Sequence, residues 1–321
     1  MAESFHVVKG TSHPIYSIVI PVFRNEGTIQ PLFRALELTV LELTERTEII
    51  LVIDALGDPS GPMIEKEILN SNLEIQVLQH SKNFGSFTAI RTGLKRARGQ
   101  YVGVISADLQ EPAHLLHSFF ELLQTNSTDV VFGQRESRSE SLFVRFWSGI
   151  YWKTYRLLIN GEIPTGGIDV FACSRRVVNV INSMEERNSS LVGMLFWVGF
   201  RREFIKYSRL PRPNGKSAWS INRKFRYMSD SVFGFSNLPI RLIQLVGLIG
   251  VMFSMFYGSY LIILVLNDDV SIPGYAPLML AIIFGNSACL TAIGLLGSYL
   301  WRVYENSQNR PNSIVINSDR D

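Results

Sequence analysis

The chain has 321 residues, of which 46% are hydrophobic, with a formal net charge of +3 and a mean hydropathy of +0.14. This length allows one large domain with further segments, and the small net charge disfavours a nucleic-acid-binding protein. Two cysteines, one of them inside a long apolar segment, indicate neither a disulfide-rich secreted domain nor a thiolate zinc site.

The first part of the chain alternates short apolar runs with longer amphipathic ones. Strands are predicted, in chain order, at YSIVIPV, TEIILVID, LEIQVLQ, YVGVISAD and TDVVFGQR. Helices are predicted between them at TIQPLFRALELTVLELT, SFTAIRTGLKRARG and PAHLLHSFFELLQ. This alternation predicts an α/β fold with a mostly parallel sheet, right-handed crossovers and helices on both faces of the sheet.

The alternation ends after Arg135. The segment ESLFVRFWSGIYWKTYRLLI has the pattern of a helix rich in aromatic and basic residues, and FRREFIKYSRLPRPNGKSAWS is predicted to be a basic loop. The segment INRKFRYMSDSVFGFSNLP then mixes basic and aromatic residues. This mixture is typical of a helix that lies on a membrane surface.

Two segments further along, Leu242–Leu266 and Val270–Trp301, contain no charged residue. Each is longer than the roughly 20 apolar residues that cross a bilayer core, so a hairpin of two transmembrane helices is predicted at about 242–266 and 277–300. Basic residues flank the hairpin: Arg223, Lys224, Arg226, Arg241, Arg302 and Arg310. The loop between the two segments carries Asp268 and Asp269 instead. By the positive-inside rule, the large N-terminal domain and both termini are expected on the cytoplasmic side.

These patterns predict four parts of the chain. They are an α/β domain at 1–205, a basic loop with an interfacial helix at 206–239, the hairpin at 240–301 and a cytoplasmic tail at 302–321. Small residues in the two apolar segments let helices approach closely in lipid, which predicts a homo-oligomer; packing within one hairpin is the alternative. The small residues are Ser254, Gly258, Gly285, Gly294 and Gly297.

Polar side chains follow four of the predicted strands, at the point where each strand ends. They are Arg24, Asn25, Glu26, Asp54, Asp58, Lys82, Asn83, Ser86, Ser106, Asp108 and Gln110. One such group alone is typical of a turn. Because the carboxyl ends of parallel strands meet at one edge of a sheet, we expect the four groups to converge on one crevice. Asp108 and Gln110, with substrate phosphates, would suit Mg²⁺ or Mn²⁺.

Other residue patterns narrow the kind of site. The glycines form no GxGxxG or Walker pattern, which disfavours a dinucleotide oxidoreductase and an ATPase. A basic group consists of Arg135, Arg138, Arg209, Arg212 and Lys216. Arginine is suited to bidentate contacts with phosphate, although a charged group of this kind is also typical of a solvated face.

A series of motifs carries a family resemblance. They are SIVIPVFRNE, SKNFGSFTAIRTGLKRARGQYV, ADLQEP, GQRESR, GGIDVFACSRR, LFWVGF, NGKSAW, FGFSNLPIRL and GSYLWRVYENSQNRPNSIV. From about Tyr16 to Val315, the chain resembles the family-two inverting glycosyltransferases that act on polyprenyl phosphates. Dolichol-phosphate mannose synthases and bactoprenol glucosyltransferases are examples. The resemblance implies that residues 1–205 form a catalytic, nucleotide-sugar-binding domain of the glycosyltransferase A type.

The resemblance also implies roles for individual residues. Asp108 and Gln110 match metal ligands, and Asp54 matches a contact to the nucleotide base or ribose. The donor pocket comprises Pro21, Phe23, Asn25, Glu26, Asp54, Lys82, Asn83, Ser106, Ala107 and Asp108. The residues matched to phosphate and acceptor binding are Arg135, Arg138, Arg209, Arg212, Lys216 and Ser217. Asp108 and Asp169 match catalytic positions, Asp169 as a base or an acceptor-positioning carboxylate; a structural role in a turn is the alternative for Asp169.

The implied reaction is transfer of a sugar from a nucleotide sugar to undecaprenyl phosphate, with inversion, at the cytoplasmic face of a bacterial inner membrane. UDP-glucose is favoured over GDP-mannose and UDP-amino sugars, and Mg²⁺ or Mn²⁺ is the expected cofactor. Two positions depart from the family: Ile53 and Ser106 stand where an Asp is common. A membrane-anchored, non-catalytic assembly subunit is therefore an alternative. A processive polysaccharide synthase is disfavoured, because the short chain has no multi-span channel.

Overall fold

The computed structural model describes residues 13–125, 127–135, 168–184, 190–210, 275–308 and 310–316, with scattered positions between 243 and 263. In this part of the chain, seven strands form one sheet. They are β1 (Tyr16–Val22), β2 (Thr47–Ile53), β3 (Glu74–Gln79), β4 (Tyr101–Val104), β5 (Val130–Arg135), β6 (Phe171–Ser174) and β7 (Arg202–Tyr207). The helices are α1 (Ile29–Glu42), α2 (Ser60–Asn70), α3 (Ser86–Arg96), α4 (Leu115–Gln124), α5 (Arg175–Ser183), α6 (Leu191–Trp197) and α7 (Tyr275–Ser307).

The strand order is β3-β2-β1-β4-β6-β5-β7. Strands β1 to β4 are all parallel to their neighbours within this group. Strand β6 is antiparallel to both β4 and β5, while β7 is parallel to β5. The α/β fold is therefore as predicted, and the sheet is mixed: its first half is parallel and β6 reverses direction.

The central strands are buried on both faces. Every residue of β2 is buried, as is all of β1 except the half-buried Pro21. A near-continuous apolar run of this kind is typical of a parallel strand covered by helices on both sides. Helix α1 contacts α2 and α4, whereas α3 contacts α5. Gly93 allows α3 to approach β1 closely, since a Cβ atom there would lie 2.3 Å from Cγ1 of Val19.

One prediction about secondary structure needs correction, and not every element was predicted. The segment predicted as a basic loop contains strand β7, which extends the sheet beside β5. This strand lies at the edge of the sheet, so most of its side chains are exposed or half-buried and its sequence lacks an apolar run. Helix α2 was not predicted, because Ile64 is the only large apolar side chain that it buries fully.

The chain divides into two units, Met1–Lys224 with Pro311–Asp321, and Phe225–Arg310. In the second unit, α7 covers most of the second uncharged segment. Among the described residues, no helix has the length and apolarity required to cross a membrane. The first uncharged segment is described only at scattered positions, and residues 211–240 lie outside the described ranges. The transmembrane hairpin and the interfacial helix therefore stay predictions.

Candidate active site

The carboxyl ends of the parallel strands lie side by side. Val22 at the end of β1 pairs with Ile53 at the end of β2, and Ile53 pairs with Gln79 at the end of β3. The polar groups that follow these strands, and those that follow β4, therefore share one edge of the sheet. In open α/β sheets, ligands bind at this edge.

The loop after β1 is held by side chains of the β2–α2 connection. The backbone amide of Arg24 donates to Oδ2 of Asp58 (2.8 Å), and that of Asn25 donates to Oγ of Ser60 (2.8 Å). The side-chain oxygen of Asn25 accepts from the amide of Phe23 (3.0 Å). Arg24 has a φ angle of 53°, which is costly for a residue other than glycine. This loop is thus fixed in a strained conformation, as loops at binding sites often are.

Asp54, at the end of β2, is buried and makes three contacts within the protein. Oδ1 accepts from the amide of Phe84 (2.9 Å) and contacts Nδ1 of His80 (2.8 Å), and Oδ2 accepts from the amide of Gly85 (2.7 Å). These contacts fix the turn at Gly85, where φ is 98°. The observed role of Asp54 is to hold the β3–α3 loop, and its contact with a nucleotide stays a prediction.

The β4–α4 loop brings the side chains of Ser106, Asp108 and Glu111 together. The hydroxyl of Ser106 contacts Oδ1 of Asp108 (2.6 Å) and Oε2 of Glu111. Leu109 has a φ angle of 56°, so this loop too is strained. Because Ser106 has a single proton, it can donate to only one of the two carboxylates. The second contact requires a proton on the partner carboxyl group, and Glu111 is the buried one.

Arg209, just beyond β7, reaches into this loop from another part of the sheet. Its Nη2 donates to Oε1 of Gln110 (2.6 Å), and its Nε lies 3.6 Å from Oε1 of Glu111. Nη1 lies 3.7 Å from Oδ2 of Asp169. The backbone of Leu210 adds a bond to the carbonyl of Gln110 (2.9 Å). Arg209 and Asp169, which are far apart in sequence, therefore meet at the predicted metal motif.

Two carboxyl groups of this cluster, those of Glu111 and Asp169, have raised pKa values. Burial, assisted by the charges of Asp169 and Asp108, raises the pKa of Glu111 to about 7, against the lowering effects of Ser106 and Arg209. Partial burial also raises the pKa of Asp169, while Arg209 and Arg135 oppose the shift. Clustered acids with perturbed pKa values are a physical indication of a functional site.

Several buried polar atoms in this cluster have no hydrogen-bond partner among the described residues. They are Oε1 of Glu111, Nε of Arg209 and the hydroxyl of Tyr207. Burial raises the pKa of Tyr207, and the nearby carboxylates of Asp169 and Glu111 add to the effect. Unsatisfied buried groups are costly, so such a concentration suggests a place that a polar ligand completes.

The remaining predicted residues lie partly inside and partly outside the described ranges. Inside them, Arg135 ends β5 and pairs with Tyr207, and the carbonyl of the buried Ala107 accepts from the Thr28 hydroxyl (2.8 Å). Four more described residues lie near the ends of the strands; Pro21 is half-buried, and the exposed ones are Glu26, Lys82 and Asn83. Those outside the described ranges are Arg138, Arg212, Lys216 and Ser217.

The predicted metal site fits a hard divalent cation only in part. Asp108 provides carboxylate oxygen atoms, the ligands that Mg²⁺ and Mn²⁺ prefer. The side chain of Gln110, in contrast, is occupied: its oxygen accepts from Arg209, and its nitrogen donates to the Leu210 carbonyl (3.4 Å). Among the described residues, no three His, Cys, Asp or Glu side chains form a metal-binding group. A cation here would therefore depend on Asp108 and on oxygen atoms of a substrate.

Three residues of the site were not predicted. Glu111 lies in the motif ADLQEP, directly before the helix predicted at PAHLLHSFFELLQ. Tyr207 lies in the segment predicted as a basic loop, and His80 follows β3. The run QEP could have identified Glu111, because a carboxylate three residues after Asp108 lies at the end of the same buried strand. No local signal identified His80 or Tyr207, since their contacts depend on pairing between distant strands.

The chain matches one family model and is similar in sequence to several known proteins. The model of the family described as glycosyl transferase family 2 matches residues 17–181. An uncharacterised glycosyltransferase of Synechocystis sp. is 35% identical over 302 residues, which cover 93% of this chain and 94% of that protein. The SfII prophage-derived bactoprenol glucosyl transferase of Shigella flexneri is 30% identical over 309 residues, covering 95% of this chain and 98% of that protein. The Staphylococcus aureus TarS structure in complex with UDP-GlcNAc covers 64% of this chain and 61% of its own, with a TM-score of 0.43 and 18% identity.

The fold and the site define an α/β domain with a mixed sheet and with an acidic and basic cluster at one sheet edge. The chain belongs to glycosyl transferase family 2. It is thus a glycosyltransferase, as its motifs suggested.

Proposed function

We propose that this protein transfers a glucosyl group from UDP-glucose to undecaprenyl phosphate, with inversion, at the cytoplasmic face of a bacterial inner membrane. The observation that carries the proposal is the meeting of Arg209 with Asp169, Gln110 and Glu111 at the end of β4. One guanidinium among these groups is suited to bind a phosphate beside the donor. The similarity to a bactoprenol glucosyl transferase over nearly the whole chain supports the acceptor and the sugar.

The acceptor phosphate is the nucleophile in this reaction. An oxygen of undecaprenyl phosphate attacks the anomeric carbon of glucose from the side opposite the diphosphate. The new bond between carbon and the acceptor oxygen forms as the bond to the UDP oxygen breaks, and UDP leaves with the electron pair. A phosphate monoester is largely ionised near neutral pH, so the attack requires no proton transfer to a base.

Arg209 binds and positions this nucleophile, and Asp169 orients Arg209. Arg209 presents a planar set of donors, which can bind two phosphate oxygens at once. Asp169 is 3.7 Å from Arg209 and limits the directions in which the guanidinium can turn. Glu111, whose pKa is raised to about 7, contributes less negative charge near the phosphate than an ordinary carboxylate would. The cluster therefore accepts an anion although it contains three acidic side chains.

A divalent cation is part of the proposal. Mg²⁺ or Mn²⁺, held by Asp108 and the donor diphosphate, would supply positive charge that stabilises the departing UDP. Ser106 holds Asp108 through its hydroxyl at 2.6 Å, so it orients the carboxylate even though it replaces an acidic residue. Gln110 would join the cation only if Arg209 moves to a substrate phosphate, because its oxygen is bound to Arg209.

The membrane location and a homo-oligomer are further parts of the proposal. The uncharged segments Leu242–Leu266 and Val270–Trp301 and their basic flanks support a two-span anchor. On α7, a Cβ atom at Gly285, Gly294 or Gly297 would meet no other atom within 4 Å. Such open small-residue positions suit close helix packing in lipid, either within the hairpin or between copies of the chain.

A donor screen tests the proposed function. The full chain, in membranes or mild detergent, is incubated with undecaprenyl phosphate and UDP-glucose, a UDP-amino sugar or GDP-mannose. The lipid product is then identified by mass spectrometry, with Mg²⁺, with Mn²⁺ and with EDTA. We expect one hexose per lipid from UDP-glucose and loss of the product in EDTA. Folded protein that glycosylates no lipid with any donor would contradict the proposal, and GDP-mannose as the preferred donor would correct the sugar.

A further inference from the structure

Residues near the described end of the chain pair with the backbone of the α/β unit just beyond β3. The amide of Ser81 donates to the carbonyl of Ile314 (3.0 Å), and the amide of Ile316 donates to the carbonyl of Gln79 (2.9 Å). Between these bonds, His80 and Val315 form an antiparallel bridge. We call residues 310–316 the return segment. It covers the free side of the chain just beyond β3, which is an edge strand.

The return segment also contacts the interior through one side chain. Oγ of Ser313 lies 2.9 Å from Oγ1 of Thr92 on α3, and Oγ1 of Thr92 lies 3.0 Å from Nε2 of His80. Nδ1 of His80 lies 2.8 Å from Oδ1 of Asp54. His80 is fully buried, and Thr92 and Asp54 are nearly so. A continuous set of hydrogen bonds therefore runs from the return segment to the end of β2.

The direction of these bonds follows from the donors available. An ionised Asp54 can only accept, so Nδ1 of His80 carries a proton. The Thr92 hydroxyl has one proton, which it donates either to Nε2 of His80 or to the carbonyl of Thr88, 3.0 Å away. In both cases the Thr92 proton is used, so the Ser313 hydroxyl donates to Thr92. In a set aligned this way, each bond polarises the next.

Asp54, at the other end of this set of hydrogen bonds, contacts the loop between β3 and α3. Asp54 accepts from the amides of Phe84 and Gly85, the last two residues before α3 begins. The ring of Phe84 packs edge-on against His80 at 5.3 Å, and Nζ of Lys82 lies 5.1 Å from the centre of the Phe84 ring. Residues 82–85, which we call the donor loop, are thus fixed by the group that Ser313 contacts.

We propose that the return segment is a positioning element of the donor site. In this proposal, Ser313, Thr92 and His80 are positioning residues that hold the donor loop in the conformation that binds the nucleotide of the sugar donor. The nature of the ligand rests on the proposed function, while the coupling rests on the hydrogen bonds described above. The part of the chain that follows the predicted membrane anchor would then contribute directly to nucleotide affinity.

The experiment uses the full chain and compares hydroxyl variants. Ser313→Ala and Thr92→Val each remove a bond of the set, Ser313→Thr keeps the hydroxyl, and Ile314→Ala is the matched control. Ile314 is 54% exposed, and its carbonyl, not its side chain, makes the bond to Ser81. UDP binding in the presence of Mn²⁺ is measured by calorimetry, and Michaelis constants are measured for UDP-glucose and undecaprenyl phosphate. Thermal unfolding is followed in parallel.

We expect Ser313→Ala to raise the dissociation constant of UDP and the Michaelis constant of UDP-glucose about two- to tenfold, as the loss of one hydrogen bond between neutral groups would. The Michaelis constant of undecaprenyl phosphate and the unfolding temperature should stay unchanged. Ser313→Thr should restore donor affinity. The double variant Ser313→Ala/Thr92→Val should bind UDP about as weakly as Thr92→Val alone, because both changes break the same set of bonds.

Hydrogen exchange gives a readout that does not depend on catalysis. In Ser313→Ala, the amides of Phe84 and Gly85 should exchange faster than in the wild type, and in Ile314→Ala they should not. Unchanged UDP affinity and unchanged exchange in Ser313→Ala would overturn the positioning role. A lower unfolding temperature with equal losses for donor and acceptor would also overturn it, since that is the result of a purely structural contact. Wild-type protein that binds UDP but glycosylates no lipid would refute the proposed function and leave the positioning role to be decided by UDP affinity.

Discussion

Two carboxylates at the same edge of the sheet have very different surroundings. Asp54, after β2, is buried and makes three contacts with His80 and with backbone amides. Asp108, after β4, is half-buried in a group where other buried atoms have no hydrogen-bond partner among the described residues. The first carboxylate belongs to a completed part of the fold. The second belongs to a part that a ligand would complete, and the predictions below test this difference.

The largest expected effect is loss of transfer in Asp108→Asn. This change removes the negative charge that is proposed to hold the cation on the donor diphosphate. Loss of that stabilisation should lower turnover by at least about a thousandfold, equivalent to roughly 4 kcal/mol in the transition state. The unfolding temperature should change little, because Asp108 does not support the core. Glu65→Gln, at an exposed position of α2, is the control. Near-normal turnover of folded Asp108→Asn at saturating Mn²⁺ would refute the metal role.

A loss of stability is expected of Asp54→Asn. An asparagine has one acceptor oxygen where the carboxylate has two, so its NH2 group would face the backbone amide of either Phe84 or Gly85, which is also a donor. Losing hydrogen bonds to a buried charged group should lower the free energy of unfolding by about 3 kcal/mol. Urea unfolding of the detergent-solubilised chain measures this, again with Glu65→Gln as the control. If Asp54→Asn is as stable as the wild type, the view that Asp54 is structurally complete is wrong.

Arg209→Ala tests the connection between β7 and the β4–α4 loop. Losing a charge-assisted hydrogen bond costs about 1.5–3 kcal/mol, or roughly ten- to over a hundredfold in rate or affinity. We expect either a higher Michaelis constant for undecaprenyl phosphate or a lower turnover. Arg209→Lys should give an intermediate result, because lysine keeps the charge but not the planar set of donors.

Arg201→Ala is the matched control for Arg209→Ala. Arg201 is 61% exposed and pairs with Asp129 at the surface, so its removal should change kinetics and stability very little. Unchanged constants in Arg209→Ala would mean that Arg209 serves only to neutralise Glu111 and Asp169.

The sequence was sufficient to predict the parallel half of the sheet. Strands β1 and β2 are buried on both faces, so their apolar runs are long and regular. Strand β7 was missed because an edge strand buries few side chains and keeps polar residues along its length. Its position was nevertheless decisive, since it carries Tyr207 and leads directly to Arg209.

The sequence predicted that the site lies at the carboxyl ends of the strands. It did not predict that Asp54 and Asp108 belong to two separate hydrogen-bond networks. The place of Asp54 and Asp108 followed from the topology of parallel sheets. Their separate roles depend on distant contacts: His80 and the amides of the donor loop for Asp54, and Arg209 and Glu111 for the Asp108 cluster. The same limit applies to Ser313, whose contact with Thr92 joins residues 221 positions apart. No local pattern specifies such a pair.

The smallest expected effect is that of removing the Tyr207 hydroxyl. A comparison with the Tyr16 hydroxyl distinguishes an unsatisfied buried group from a satisfied one. The Tyr207 hydroxyl is buried without a hydrogen-bond partner among the described residues, whereas that of the buried Tyr16 accepts from the side-chain amide of Gln124. Tyr16→Phe should therefore lower the free energy of unfolding by about 1 kcal/mol and leave kinetics unchanged.

Tyr207→Phe should show the reverse of Tyr16→Phe. Replacing an unsatisfied buried hydroxyl by hydrogen leaves stability unchanged or raises it by up to about 1 kcal/mol, because the cost of burying that group is removed. If the hydroxyl donates to a substrate phosphate, kcat/KM should fall about tenfold at the same time. Denaturant unfolding and steady-state kinetics on both variants measure the two effects. A loss of stability in Tyr207→Phe equal to that in Tyr16→Phe would show that the hydroxyl is already satisfied within the protein, and the β4 side of the sheet edge would then be as complete as the β2 side.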